Sequence, residues 1–186
     1  MPNYRSGVDG LRVSNSTKGG ITFAASTTQN GIHMITVVLG VEAVDGDPYA
    51  RFVATSSLMN YVVRTFVSSI VVKEGDPYGK SKATVMDGKS ETVLAVAKKD
   101  FYIVEKQGSQ AEPKIQFKSD QESFRAPVKS GTNLGKLHYT DPDKIGRGYL
   151  EDQEPTVDMV SGRTIEKSFF LKVWWNEFVR YVNEKL

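Results

Sequence analysis

Cysteine is absent from this chain of 186 residues. Disulfides, thiolate metal sites and a cysteine nucleophile are therefore excluded, while the redox compartment stays open. Histidine is scarce. Only His33 and His138 occur, far apart and each in a strand-like run, which is too little for a Ser-His-Asp triad or a histidine metal site. No cofactor and no metal ion is expected. Long hydrophobic runs are missing, and no segment reaches the length of a transmembrane helix. The opening residues MPNYRSGVDG are polar and lack the apolar stretch of an export signal. An excess of either charge is also missing. The 24 basic and 22 acidic residues leave a net charge of +2 spread along the chain. No Lys/Arg run interleaves with aromatics, so nucleic acid is not an expected partner.

What is present is ordinary for a globular protein: 39% apolar and 25% charged residues. The length allows one domain or two small ones. Residues 21–27 and 32–40 are apolar, β-branched runs flanking Thr28-Gln29-Asn30-Gly31. Asn-Gly between such runs predicts a hairpin. The second run is apolar almost throughout, which predicts a central strand buried on both faces. Asp47 and Pro48 then read as the N-cap and first position of a helix. Tyr49/Val53, Phe52, Leu58/Met59, Val62/Val63 and Phe66 form its apolar stripe. From about Ser68, short β-like runs recur between turn signals such as Asp87-Gly88 and Asp141-Pro142-Asp143. That spacing predicts an all-β sandwich or barrel-like module.

The final segment SFFLKVWWNEFVRYVNEKL predicts an amphipathic helix. Leu171, Trp174, Trp175, Phe178, Val179, Tyr181 and Val182 fall on one half, with Lys172, Glu177, Arg180 and Glu184 among the residues opposite. Charges recur too often for a membrane span. The pattern suits a helix docked on its own core, and equally a helix lying in a membrane interface.

The segment GVDGLRVSNSTKGGITFAAST resembles the third active-site motif of low-molecular-mass penicillin-binding proteins of the D-alanyl-D-alanine carboxypeptidase family. There, V-D-G-(L/I) leads into Lys-Thr-Gly on an edge strand. Val8-Asp9-Gly10-Leu11 matches the lead-in, and Gly20, Phe23 and Ala25 the follow-on. MITVVLG (34–40), DPYARF, SSLMNYV, the APV-x-x-G-x-x-L-G-K run at 126–136 and the aromatic terminal helix match in order. The resemblance covers essentially the whole chain and is closest to streptococcal members. It implies an α+β class. A remnant of the α/β penicillin-binding domain would occupy 1–67, an all-β sandwich-like domain 68–164, and an amphipathic membrane-surface helix 165–186. It also tips the terminal helix toward the membrane, with Leu171, Trp174, Trp175, Phe178, Tyr181 and Val182 as the contact residues.

Two departures bear on activity. The Lys-Thr-Gly positions hold Arg12, Val13 and Ser14. Arg12 keeps charge without the proton chemistry of Lys. Val13 lacks the hydroxyl, for which Ser14 or Asn15 is the available replacement. The family's nucleophilic Ser also stands three residues before a Lys. No Lys here has Ser at that spacing, and no Ser-x-Asn occurs. In the family both motifs lie upstream of the Lys-Thr-Gly strand. Three readings follow: a truncated homologue inactive by itself, a β module that binds or positions, or an enzyme completed by residues elsewhere. The implied partners are a membrane surface and peptidoglycan or a cell-wall protein. The implied place is the outer face of the cell membrane if the chain is exported, and the cytoplasm otherwise. The exposed apolar surface of an incomplete first unit is a further expectation. The acidic clusters Asp141-Pro142-Asp143 and Glu151–Glu154 read as solvated turns.

Overall fold

A computed structural model describes residues 5–42, 47, 49–141, 143–146, 148–149, 153–169, 173–174, 179 and 181–182. The described elements are mostly strands, with one helix among them. The chain divides into two compact units, residues 1–69 with 104–109, and 70–103 with 110–186.

The first unit begins with three antiparallel strands, β1 (Val8–Ser16), β2 (Gly20–Gln29) and β3 (Ile32–Val41), in the order β1-β2-β3. Asn30 and Gly31 take φ of 52° and 75° between β2 and β3. Two positive φ values in a two-residue turn match the right-handed twist of the flanking strands, and Asn-Gly reaches them with little strain. Helix α1 (Ala50–Thr65) covers one face of this sheet. Phe23, Ala25, Ile32, Met34, Val38 and Met59 form the core beneath it. Phe23 and Phe52 meet edge to face at 5.1 Å, a favoured geometry for aromatic quadrupoles.

Three expectations change here. β3 is not buried on both faces. It lies at the sheet's edge and alternates, with Ile35, Val37 and Leu39 55–75% exposed. A continuous apolar run predicts double burial, but among the described residues only α1 covers this sheet. The N-cap is Tyr49, not Asp47. The Asp47 carboxylate instead accepts the Tyr49 N–H at 2.8 Å, as in an Asx turn, so it still marks the helix start. The buried stripe of α1 also differs. Arg51, Thr55 and Met59, one turn apart, are its buried positions, whereas Val53 and Leu58 are exposed. The exposed side chains on β3 and α1 are the apolar surface anticipated for this unit.

Strands β4 (Phe66–Val72) and β7 (Phe101–Lys106) pair with each other. In the second unit, β5 (Pro77–Met86), β6 (Thr92–Ala97), β8 (Lys114–Ser119), β9 (Phe124–Arg125), β10 (Asn133–Thr140) and β11 (Thr156–Ser161) form a six-stranded sheet ordered β8-β10-β11-β6-β5-β9. Only the β5–β9 pair is parallel. Inward residues stack in register, as with Phe117, Leu137 and Val157 across β8, β10 and β11. Val72, Phe101 and Ile103 join the same core. The run RTIEK (163–167) is not a full strand. It makes single bridges, Ile165 to Val128 and Lys167 to Gly88. Ile165 is nonetheless buried in the core.

Gly135 sits in β10 beside a register shift, at φ 147°. An added Cβ would lie 2.1 Å from the Lys118 carbonyl oxygen. Gly131, at φ 82°, has open space around it. Gly135→Ala is therefore expected to lower unfolding free energy by about 2–5 kcal/mol, from backbone strain and overpacking together. Gly131→Ala should lose only about 1–2 kcal/mol, from backbone strain alone. Urea denaturation of the two variants checks the difference.

Candidate functional site

The residues singled out at the start of the chain lie on β1, the other edge strand of the three-stranded sheet. A polar, glycine- and serine-containing strand carries little hydrophobic periodicity, so its strand character rests on pairing with β2. Opposite residues of an antiparallel pair point to the same face. Arg12 pairs with Ala24, and Ser14 with Thr22, while Val13 pairs with Phe23. Phe23 is buried under α1. Val13 therefore projects toward the helix side, and Arg12 and Ser14 toward the opposite, outer face. Ala24 in turn pairs with Val37, and Ser26 with Ile35. Arg12 and Ser14 thus share the outer face with the exposed apolar residues of β3.

Ser14 and Asn15 differ in what they bond. Asn15 pairs with Ile21 and faces α1, where its side-chain oxygen accepts a 2.5 Å bond from the Arg51 guanidinium. Arg51 also reaches the Thr22 carbonyl at 3.5 Å. Asn15 is therefore occupied in fastening the strand to the helix. Ser14 stays beside Arg12, its carbonyl accepting from the Thr22 hydroxyl at 3.3 Å. The outer face carries the Arg12 guanidinium, the hydroxyls of Ser14, Thr22 and Ser26, the Asp9 carboxylate and an apolar floor from β3. A guanidinium can hold an anion but does not give up its proton near neutral pH. The buried polar residues Arg51 and Thr55 escaped the sequence analysis, because helical periodicity scores them as solvent-facing.

The remaining candidates are divided between the two units. His33 is exposed on β3, and His138 lies partly buried on β10. Burial, then Lys118 and Lys136, hold the His138 imidazole below its ordinary value. Tyr149 donates to Asp141 at 3.4 Å, and Thr140 donates to Glu154 at 2.8 Å. Pro142 and the acidic residues 151–152 lie outside the described residues. Among the described residues, no three His, Asp or Glu side chains converge as a metal site would require.

Of the terminal residues, Val173, Trp174, Val179, Tyr181 and Val182 have helical backbone, and Trp174 and Tyr181 are 62% and 59% exposed. Leu171, Trp175 and Phe178 lie outside the described residues. No helix among the described residues is long and apolar enough to cross a membrane.

Residues 66–167 match the family described as penicillin-binding protein 5, C-terminal domain. The chain belongs to that family, as the sequence resemblance implied. D-alanyl-D-alanine carboxypeptidase DacA of Haemophilus influenzae is 27% identical over 133 residues. The match covers 71% of this chain and 32% of that protein, so the chain spans about a third of its curated relative. Among solved structures, a peptidoglycan synthesis regulatory factor (PBP3) from Streptococcus pneumoniae is 44% identical with a TM-score of 0.82. The match covers 89% of this chain and 45% of that one. Penicillin binding protein 5 from Haemophilus influenzae shares the fold, at 22% identity and a TM-score of 0.59 over 86% of this chain and 43% of its own.

Burial first, then Asp141, pushes the Tyr149 phenol up to about 12 from its ordinary value of 10.0. The folded chain then holds this proton at a pH where the unfolded chain has released it. Stability from this group is unchanged below about pH 10 and falls as pH rises from there toward 12. Tyr149→Phe should remove that part of the alkaline loss. Thermal melts between about pH 9 and 11.5 test this.

Proposed function

We propose that the chain is a D-alanyl-D-alanine carboxypeptidase homologue of peptidoglycan and cell-wall biogenesis whose own residues do not carry out acylation. The observation that carries this reading is the register of β1, with Arg12 and Ser14 on the outer face and Val13 turned toward α1. In the family this strand brings Lys, Thr and Gly to the substrate. Here Arg12 supplies charge alone, and no hydroxyl follows it directly. Acyl transfer also needs a nucleophile activated by an adjacent base, and no Ser-x-x-Lys occurs in these 186 residues. The names of the relatives support the cell-wall process. Their greater length leaves the whole protein's activity as part of the proposal.

In this reading the first unit is a remnant of the α/β penicillin-binding domain. Its outer face, with Ile35, Val37 and Leu39, would be covered when the catalytic part of such a domain is present. The second unit favours a further, non-catalytic role, because the family match is centred on it and runs to residue 167. It would act as a positioning or binding module at the cell surface, with peptidoglycan or a cell-wall protein as partner. The terminal segment would hold it on the outer face of the membrane through Leu171, Trp174, Trp175, Phe178, Tyr181 and Val182. The exposure of Trp174 and Tyr181 supports this.

Two experiments test the reading. Purified chain incubated with a fluorescent penicillin should give no covalently labelled band. A band that heat-denatured protein does not give would overturn the inactivity. In a lipid-vesicle sedimentation assay the chain should bind, and binding should survive moderate salt. Apolar side chains inserting into the interface contribute about 1.5–3 kcal/mol each when fully buried. Lys167, Lys172, Arg180 and Lys185 are nearly balanced by Glu166, Glu177 and Glu184, so charge contributes little. Truncation before Lys167, or Trp174→Glu with Trp175→Glu, should abolish sedimentation. Equal sedimentation of the truncated chain would overturn the membrane role.

A further inference from the structure

The helix-facing side of the three-stranded sheet carries a feature that the cell-wall reading does not use. A cleft of about 120 Å³ opens between β1, β2 and α1. Val8, Gly10, Phe23, Phe52 and Met59 make its walls largely apolar, and Thr55 and Ser56 contribute hydroxyl groups at the helix side. Thr55 is 3% exposed, and its hydroxyl has no hydrogen-bonding partner among the described residues. A buried hydroxyl left unpaired is destabilising by about 1–3 kcal/mol. Arg5, at the rim, is engaged with the Ser56 carbonyl at 3.2 Å and the Gln29 side chain at 3.1 Å.

We propose that this cleft is a binding site for a compact apolar molecule, ring-sized and bearing a single hydroxyl. Three observations set that chemistry. The volume is close to that of an apolar protein cavity of about 150 Å³ that accepts benzene. The aromatic rings of Phe23 and Phe52 and the pliant thioether of Met59 suit a flat or branched hydrocarbon surface. The Thr55 hydroxyl supplies one directional bond, as donor or acceptor. Gly10 leaves the approach open. A Cβ there would stand 3.8 Å from the Phe23 ring, so a longer side chain would enter the cleft. The site is separate from Arg12 and Ser14, which face the opposite side of the sheet, so its failure would leave the cell-wall reading intact.

Phenol and toluene are the probes, and the Met59 methyl resonance of the full chain is the reporter. Phenol should move that resonance saturably. Thr55→Val, which keeps the shape and removes the hydroxyl, should weaken phenol about fivefold, the worth of one net hydrogen bond, and leave toluene unchanged. Gly10→Leu should remove both. Absence of a saturable Met59 shift with phenol overturns the proposal. So does a Thr55→Val chain that binds phenol as well as the original. Should Thr55→Val lose toluene too, Thr55→Ser decides. Phenol preference retained with serine supports the site, and its loss overturns it.

Discussion

A β-sheet has two faces, and every apolar side chain on either must find a covering layer or meet water. That constraint organises both units. In the first, α1 covers one face of β1–β3, with Met59 over Phe23 and Ala25, and the other face keeps Ile35, Val37 and Leu39 exposed. In the second, the inward rows of the six-stranded sheet are closed by Val72, Phe101 and Ile103. Area removed from water contributes roughly 25 cal/mol per Å², so the one-sided sheet gains less per apolar residue than the closed one.

The same two-sidedness sorts the chemistry on β1. Alternate residues of one strand serve different faces. Val8 and Gly10 line the cleft under the helix, and Asn15 receives the Arg51 bond there, while Arg12 and Ser14 look outward. Val13 pairs with Phe23 on the helix side yet stays 55% exposed, so the edge strand is covered by the helix only in part. Arg51 ties β1 to α1 from a position that is almost fully buried, so the edge strand is held by both a ladder and a side-chain clamp.

The β module was legible because its signals are local. Alternating runs such as ETVLAVA and FYIVEK, punctuated by Asp87-Gly88 and similar turns, became β6, β7 and the reversal before β6. The Asn30-Gly31 hairpin was legible for the same reason. What failed depended on distant partners. Whether Ile35 or Leu39 is buried is decided by whether a second layer exists, and no periodicity in β3 records that. Thr55 and Arg51 read as polar helix positions, yet packing against β1 and β2 buries them. The outward placement of Arg12 and Ser14 needed the β1–β2 register, which a one-residue slip would have inverted.

The segment after β11 is fastened back onto the module. Ile165 exchanges backbone bonds with Val128 at 2.8 and 2.9 Å, and the Ser168 N–H donates to the Asp87 carbonyl at 2.8 Å. Asp87, itself buried, pairs with Arg125 at 3.3 Å. The Lys89 N–H also donates to the Glu166 carbonyl at 2.9 Å. Residues 165–168 are thus stitched to two separate stretches, 87–89 and Val128, so loosening this segment would disturb both of them together.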